Sequence, residues 1–364
     1  MRHLLLIIGN EIKMNKNYTD YIVRIYESKF KEVSEMIMLE KNSKELPFLL
    51  EKWIKEYEFI SIFVSSDYYG TSAKVLATLN GDSLVLKDEI LAPIKSLEHN
   101  DNGFLMAFSK CRVNLIKLSL SSKFPNLLGD ISPNFEYFCL LDIDEDSAKI
   151  LLDTIAKSYE ISIQSSSLLE NLVLIKATSL QYGKLDEFLK ASKKLFSGKF
   201  IPNKNPLYFI VSALKKEKLK ISFAESCTGG LCASEFTKIE GVSEIFEGSV
   251  VSYSNRIKHE WLGISETVLE ANGEYSQKCV YFMLKGIFKT AKPDFALALS
   301  GVLGNDDVGG IKSGTVFVGA MYKDGSFLQE ILYLNGDREF MQKQAVLSAF
   351  CLLLKLKPEL FIIE

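Results

Sequence analysis

Residues 219–231 read LKISFAESCTGGL, a stretch that passes from a strand pattern to a helix pattern within a few residues. The apolar start is typical of a strand buried on both faces of a parallel sheet. The turn that follows, ESCTGG at 225–230, leaves backbone N–H groups at a helix start free to hold a phosphate or a developing oxyanion. In the alternative interpretation this is an ordinary turn, in which Thr228 caps the helix and the glycines allow tight packing.

The residues around this stretch extend the alternation of helices and strands over 206–364. Apolar residues follow helical spacing over 207–217 and 338–356. Strand patterns lie at 219–224, 249–253, 294–300, 315–322 and 327–334. Helices on both faces of such a sheet predict a three-layer α/β/α domain that is long enough to bury its own core.

Polar side chains cluster in the segment 241–258, which reads GVSEIFEGSVVSYSNRIK. We expect Ser243, Tyr253, Asn255 and Lys258 to crowd one strand end and its loop. A lysine near a tyrosine hydroxyl lowers the tyrosine pKa or, when desolvated, acts as a base itself. Either group can deprotonate a serine nucleophile without a histidine. The alternative is a strand that ends in a polar loop, with Ser243 capping the preceding helix.

Two further motifs follow strands of the same predicted sheet. Ser300 and Gly301 end one strand, and four glycines fall within 301–310, which suits close backbone approach to a ligand. A surface loop without a ligand has the same composition. Gly336 and Asp337 lead into Arg338 at the start of the last helix, where an arginine can bind phosphate or carboxylate with two hydrogen bonds.

In this order, AESCTGGL (224–231), the 241–258 segment, GTVFV (314–318) and GDR (336–338) resemble the C-terminal domain of the CinA family (competence/damage-inducible protein). The resemblance implies hydrolysis of the carboxamide of nicotinamide mononucleotide to nicotinate mononucleotide and ammonia. It implies an enzyme that needs neither a metal ion nor a cofactor.

Residue roles are carried over from the resemblance. Ser243 becomes the nucleophile, Tyr253 and Lys258 the proton-transfer pair, and Ser226 lies near the oxyanion; attack by Ser226 instead of Ser243 stays open. The substrate-binding residues implied are Cys227, Thr228, Gly229, Gly230, Asn255, Ser300, Gly301 and Arg338, of which Arg338 would pair with the phosphate.

The front of the chain resembles the family's molybdopterin-cofactor-binding-like domain only in outline. Asn10 stands where the family has aspartate, and the segment 65–74 lacks the glycine-rich, acidic pattern that binds phosphate and metal. We therefore expect a degenerate domain kept for assembly. A residual ADP-ribose pyrophosphatase, or a catalytically weak binding or scaffold protein linked to competence and DNA damage, are the alternative functions.

Three domains are predicted: a parallel-sheet α/β domain at 1–134, a small α+β connecting domain at 135–201, and the α/β/α domain at 206–364. The connecting domain is similar to a KH module with βαβα order but has no GxxG loop, so RNA binding is unsupported. Two prolines in 200–206 favour a linker before the last domain.

The composition of the chain indicates which classes of binding partner to expect. The 364 residues include 43 Lys+Arg and 46 Asp+Glu, a net charge of −3 that gives no basic footprint for nucleic acid. Six scattered cysteines without a CxxC pair favour a reducing compartment, and no apolar run is long enough for a membrane span. We expect a cytoplasmic homodimer whose partner is a small nucleotide, with no membrane or nucleic-acid partner.

Overall fold

The computed structural model describes residues 2–41, 44–130 and 133–361, and it divides into two units, Met1–Asn134 and Phe135–Glu364. In chain order the first unit contains β1 (His3–Ile8), α1 (Asn10–Lys13), α2 (Lys16–Phe30), β2 (Glu35–Leu39), α3 (Leu46–Glu56), β3 (Phe59–Ser65), α4 (Ser66–Leu79), β4 (Leu84–Lys87), β5 (Ile90–Pro93), β6 (Glu98–Asn100), β7 (Gly103–Phe108) and β8 (Cys111–Leu118).

Parallel strands form the centre of the first unit. Its six-stranded sheet has the order β2-β1-β3-β8-β7-β6, and β4 pairs with β5 in a separate hairpin. Strands β2, β1, β3 and β8 run parallel, whereas β7 and β6 add antiparallel pairs at one side. Helix α2 packs on one face and helices α3 and α4 on the other, so every residue of β1 is buried. The parallel α/β prediction is confirmed for the central strands.

Helical spacing extends over 17–38 with a break near Lys29 and Phe30, and α2 ends at that break. The residue after Phe30, Lys31, takes a left-handed conformation with φ of 66°. The residues of β2 then pair with β1, from Leu4 opposite Glu35 to Ile8 opposite Leu39. The periodicity of a sequence does not show this pairing, because the partner strand lies about thirty residues away along the chain.

In chain order the second unit contains β9 (Phe135–Leu141), α5 (Glu145–Ser158), β10 (Ile161–Leu169), β11 (Leu172–Ser179), α6 (Leu185–Leu195), β12 (Phe200–Ile201), α7 (Pro206–Glu217), β13 (Ile221–Glu225), α8 (Leu231–Thr237), a 3-10 turn (Val242–Glu244), β14 (Phe246–Val251), α9 (Asn255–Leu262), α10 (Glu266–Asn272), α11 (Gln277–Ala291), β15 (Phe295–Gly301), β16 (Thr315–Tyr322), β17 (Phe327–Tyr333), α12 (Arg338–Leu356) and α13 (Pro358–Phe361).

The smaller sheet of this unit is antiparallel, with the order β10-β11-β9-β12. It adds strand β10 to the predicted βαβα order, because the serine-rich ISIQSSSLL segment forms a hairpin with β11. The predicted linker at 200–206 is wrong at its start, since Phe200 and Ile201 pair with β9. Ile201 also shares a hydrophobic cluster with Leu207 and Leu214 of α7. The predicted boundary between a domain that ends at 201 and one that begins at 206 stays a prediction.

The larger sheet has the order β14-β13-β15-β16-β17. Strand β13 is parallel to β14 and β15, and β16 and β17 continue the sheet in antiparallel fashion. Phe223 of β13 packs on the side of α7, α8 and α12, and its neighbour Ala224 packs on the side of α11. Alternating side chains thus bury both faces, which confirms the three-layer α/β/α prediction. None of the described helices combines the length and the apolar composition that crossing a bilayer requires.

Candidate active site

A crevice forms where the chain leaves neighbouring parallel strands toward opposite faces of the large sheet. After β13 the chain turns through Ser226 to α8 on one face, and after β14 it turns through Tyr253 to α9 on the other. The backbone N–H of Ser226 donates to Leu299 O (3.0 Å), and that of Ser252 donates to Glu225 O (2.8 Å). This divergence of two connections at the carboxyl ends of strands is where open α/β sheets bind ligands.

A buried lysine and a buried serine meet in this crevice. Lys258 Nζ lies 2.9 Å from Ser226 Oγ, 2.8 Å from Ser252 O and 3.1 Å from Tyr253 O. Lys258 is 0% exposed and Ser226 is 4% exposed. Burial lowers the pKa of Lys258 below its ordinary value, because the charged form loses its hydration.

Lys258 Nζ donates to the carbonyl oxygens of Ser252 and Tyr253 and to Ser226 Oγ. Once the amine has lost a proton, its two remaining N–H groups can keep the carbonyls while its lone pair faces the hydroxyl of Ser226. A lysine in this state can take the proton of the serine hydroxyl, which is how a serine becomes a nucleophile without histidine.

Glu225, which the residue pattern alone does not single out, fixes the turn that carries Ser226. Its carboxylate is 0% exposed and accepts hydrogen bonds from two hydroxyls and three backbone N–H groups. The donors are Thr228 Oγ1 (2.8 Å), Gly230 N (3.0 Å), Cys232 N (2.9 Å), Ala233 N (3.1 Å) and Ser249 Oγ (2.8 Å). An acidic residue directly before a turn and a helix start is the sequence signal for such a carboxylate cap.

This cap corrects the prediction for the glycine turn. The N–H of Gly230 donates to Glu225 and the N–H of Gly229 donates to Ser226 O (3.1 Å), so these two groups are not free for a phosphate. Thr228 contributes its hydroxyl to the same carboxylate and does not cap α8, whose first turn begins after Gly230. Within the described ranges, the backbone N–H of Thr228 donates no hydrogen bond.

Ser243 does not join the cluster that the sequence predicted for it. It is exposed in the 3-10 turn before β14, whereas Tyr253 and Lys258 follow β14. A six-residue strand is about 20 Å long, which separates Ser243 from Lys258 by the depth of the sheet. Residue spacing alone did not reveal that the strand lies between them. The pairing of Ser243 with Lys258 is therefore not supported by the geometry, and the open alternative, Ser226, occupies that position.

Tyr253 contacts Lys258 through its backbone and Arg338 through its side chain. Its backbone carbonyl accepts from Lys258, but its phenol, on a side chain that is 63% exposed, accepts from Arg338 Nη2 (3.3 Å). The phenol is thus not the proton-transfer partner of Lys258 that was predicted. Gln342, one turn after Arg338, donates to Cys227 O (2.9 Å) and holds the start of α12 beside the serine turn.

Asn255, Ser300 and Gly301 lie at the same edge of the sheet. Asn255 Nδ2 donates to Glu274 Oε2 (3.3 Å), and Ser300 Oγ donates to Glu274 O (2.6 Å). A Cβ on Gly301 would lie 2.4 Å from Thr315 O, so this glycine is required by the approach of β16. In the glycine loop, Gly309 and Gly310 have positive φ and close a small hairpin between Val308 and Ile311.

The remaining predicted residue, Cys227, is a poor nucleophile. Its thiol is buried, and burial raises its pKa to about 12. In the described part of the chain, no group of three or more His, Cys, Asp or Glu side chains is placed to hold a metal ion. A cleft of about 320 Å³ lies elsewhere in the second unit, beside Asn171, Tyr333 and Lys355, and neither Ser226 nor Lys258 lines it.

The corresponding edge of the first unit contains a lysine of another kind. Lys41 follows β2, and its Nζ lies 2.6 Å from Glu11 Oε1 and 2.8 Å from Asp67 Oδ2. Its hydrogen bonds lower the pKa of Asp67 to about 2 and raise the pKa of Lys41 itself. The carboxylates of Glu11 and Asp67 thus converge at this edge, and the ammonium of Lys41 lies between them.

The fold and the site thus define a three-layer α/β domain with a buried serine–lysine pair at a strand–turn–helix junction. The family model described as the CinA C-terminal domain matches residues 205–357. A relative named nicotinamide-nucleotide amidohydrolase PncC, from Enterobacter agglomerans, is 42% identical over 137 residues, which cover 38% of this chain and 84% of that protein. The chain belongs to the CinA family.

The chain spans only about half the length of two other relatives that it matches. A CinA-like protein from Thermosipho melanesiensis is 35% identical over 47% of this chain and 43% of its own length. Another, from Pseudothermotoga lettingae, is 35% identical over 59% of this chain, and the chain spans 52% of its length. The crystal structure of competence/damage inducible protein CihA from Agrobacterium tumefaciens is 27% identical, covers 42% of this chain and 93% of its own, and has a TM-score of 0.40.

Proposed function

We propose that the segment 205–357 hydrolyses the carboxamide of nicotinamide mononucleotide, giving nicotinate mononucleotide and ammonia. The observation that supports it most directly is the buried contact between Lys258 Nζ and Ser226 Oγ. Similarity to a relative named as a nicotinamide-nucleotide amidohydrolase supports the choice of substrate.

Ser226 is the nucleophile in this proposal, and Lys258 is its base. Neutral Lys258 takes the hydroxyl proton as Ser226 Oγ bonds to the carboxamide carbon, and the carbonyl oxygen gains the negative charge. The lysine ammonium then returns a proton to the amide nitrogen, the C–N bond breaks, and ammonia leaves. Water, deprotonated by the same amine, attacks the acyl-serine ester. As the ester bond breaks, the lysine ammonium returns the proton to Ser226 Oγ, and the acid product leaves as its carboxylate after losing its proton to water.

Two neighbouring groups have roles in binding. The backbone N–H of Thr228, two residues after the nucleophile, is the donor we assign to the developing oxyanion. Arg338 is exposed beside Tyr253 and offers a fork of donors to the substrate phosphate. A cytoplasmic location and a homodimer stay predictions from the sequence.

Ammonia release from nicotinamide mononucleotide tests the proposal. The full chain, treated with EDTA, should release ammonia at an undiminished rate, because none of the proposed steps uses a metal ion. Ser226→Ala should lower kcat by at least about a thousandfold through loss of the covalent nucleophile. The matched control is Ser243→Ala, an exposed serine in the same unit, which should keep most of the activity. If Ser243→Ala is the inactive variant, the serine assignment is reversed; if the unmodified chain releases no ammonia, the proposed reaction is wrong.

A further inference from the structure

The carboxylate of Glu274 lies at the same edge of the large sheet as the serine–lysine pair. Glu274 connects to the strands on both sides of β13: Asn255, at the start of the helix after β14, donates to its side chain, and Ser300, near the end of β15, donates to its backbone oxygen. Asn255 lies one helical turn before Lys258, so both side chains lie on one face of α9. Glu274 therefore lies at the edge of the sheet where β14 and β15 end, on the side that carries the serine–lysine pair.

Of the two carboxylates at this edge of the sheet, Glu225 and Glu274, only Glu274 can contact a ligand. Glu225 is fully buried and its carboxylate already accepts five hydrogen bonds, so it cannot face a ligand. Glu274 is only partly buried, and among the described residues its carboxylate accepts one hydrogen bond, from Asn255. Its negative charge also acts on Lys258, whose pKa it raises against the effect of burial. Glu274 is thus a carboxylate within electrostatic range of the reacting groups.

The substrate of the proposed reaction has a charge that needs such a group. A nicotinamide ring joined to ribose through its nitrogen is a pyridinium cation, whereas the phosphate at the other end is an anion. Arg338 can pair with the anion, and a carboxylate near the other end of the substrate would stabilise the cationic ring.

We infer that Glu274 is the counter-ion of a cationic ring, which makes the site selective for N-substituted pyridinium carboxamides over neutral aryl carboxamides of the same shape. This inference rests on the proposed function and adds the substrate class that the site accepts. Glu274 is a specificity-determining residue in this assignment, and Ser226 and Lys258 keep their proposed roles as nucleophile and base.

Binding of two isosteric nucleotides tests the assignment. One is nicotinamide mononucleotide, and the other is the C-nucleotide in which a neutral benzamide ring replaces the pyridinium. Both are titrated onto full-length Ser226→Ala protein, which does not turn them over. We expect the cation to bind at least about tenfold more tightly than the neutral ring, as a charge-assisted contact provides. Adding Glu274→Gln should abolish that ratio while changing the Kd of the neutral nucleotide by no more than about twofold.

Two further variants separate recognition of the cation from a structural effect. Glu274→Asp keeps the charge and should keep most of the preference, and Glu270→Gln removes an exposed carboxylate of α10 and should leave the ratio unchanged. An equal loss of both ligands in Glu274→Gln, or an unaltered ratio, would overturn the inference. If the unmodified chain releases ammonia yet shows no preference, only this inference fails; if neither nucleotide binds and no ammonia forms, the proposed function fails with it.

Discussion

Lys258 and Lys41 occupy similar positions in two sheets of one chain, each after a strand at the carboxyl edge of a parallel array. Lys258 is buried, its partners are a hydroxyl and two carbonyls, and burial lowers its pKa. Lys41 lies between the carboxylates of Glu11 and Asp67, and they raise its pKa. The partners around the amine, and not the position in the fold, therefore decide whether its pKa falls or rises.

The largest effect is expected from removing each amine in turn. Lys258→Met should lower kcat/KM for nicotinamide mononucleotide by about 10²–10⁴, as loss of a general base does, whereas Lys41→Met should leave it unchanged. Lys258→Arg should be equally inactive, because arginine stays protonated. Ammonia release from the three variants measures the contrast. An active Lys258→Arg protein would show that the residue supplies charge and not a proton acceptor.

Glu225 in the second unit and Glu11 in the first should differ clearly in how much their carboxylates stabilise the fold. Glu225→Gln places an N–H₂ group among five donors in a fully buried position, and leaving a donor unsatisfied there costs at least about 2 kcal/mol of unfolding free energy. Glu11→Gln, at the partly exposed pair with Lys41, is the matched control and should change stability by less than about 1 kcal/mol. Urea unfolding followed by circular dichroism measures both. A small effect of Glu225→Gln would mean that the turn does not depend on its carboxylate cap.

The sequence was informative where local pattern and chemistry agree. The strands and helices over 206–364 and the choice of Ser226, Lys258 and Arg338 as candidate residues follow from apolar periodicity and from residue types. The pairing of Ser243 with Lys258 failed because a run of residues does not show that a strand places its two ends at opposite edges of the sheet. Glu225 was missed for a related reason, since only the folded turn directs so many donors at one side chain.

The first unit shows why the loss of a family motif is hard to interpret from sequence alone. The segment 65–74 departs from the family pattern, which predicts loss of acidic ligands at that place. In the fold, Asp67 meets Glu11 from another strand end, and Lys41 neutralises both. The neutralising residue lies far from the motif in the chain, so its presence depends on strand order.

The pH dependence should separate the two lysines further. Because burial places the pKa of Lys258 below the ordinary 10.5, kcat/KM should rise with pH through a midpoint below 10.5 as the amine loses its proton. Between that folded-state pKa and 10.5 the unfolded chain binds the extra proton, so the unfolding free energy also rises with pH in this window. Rate profiles and urea unfolding across that range measure both effects, and the stability slope should be absent in Lys258→Met. A flat rate profile would contradict the assignment of Lys258 as the base.

The smallest expected effect is on the stability of the first unit at acid pH, where Asp67, the partner of Lys41, takes up a proton. Its hydrogen bonds hold the pKa of Asp67 at about 2 instead of the ordinary 3.8, so the stabilisation is complete above about 3.8 and is lost as pH falls toward 2. Lys41→Met removes these bonds, and the stability of the first unit should become less dependent on pH between 4 and 2. The change at neutral pH should be small, because the Asp67 side chain is 70% exposed and solvent screens the pair. Acid titration of the unfolding transition, with Lys29→Met at another exposed ion pair of the same unit as the control, measures the difference. An equal acid response in both variants would mean that the two carboxylates at this edge do not depend on Lys41.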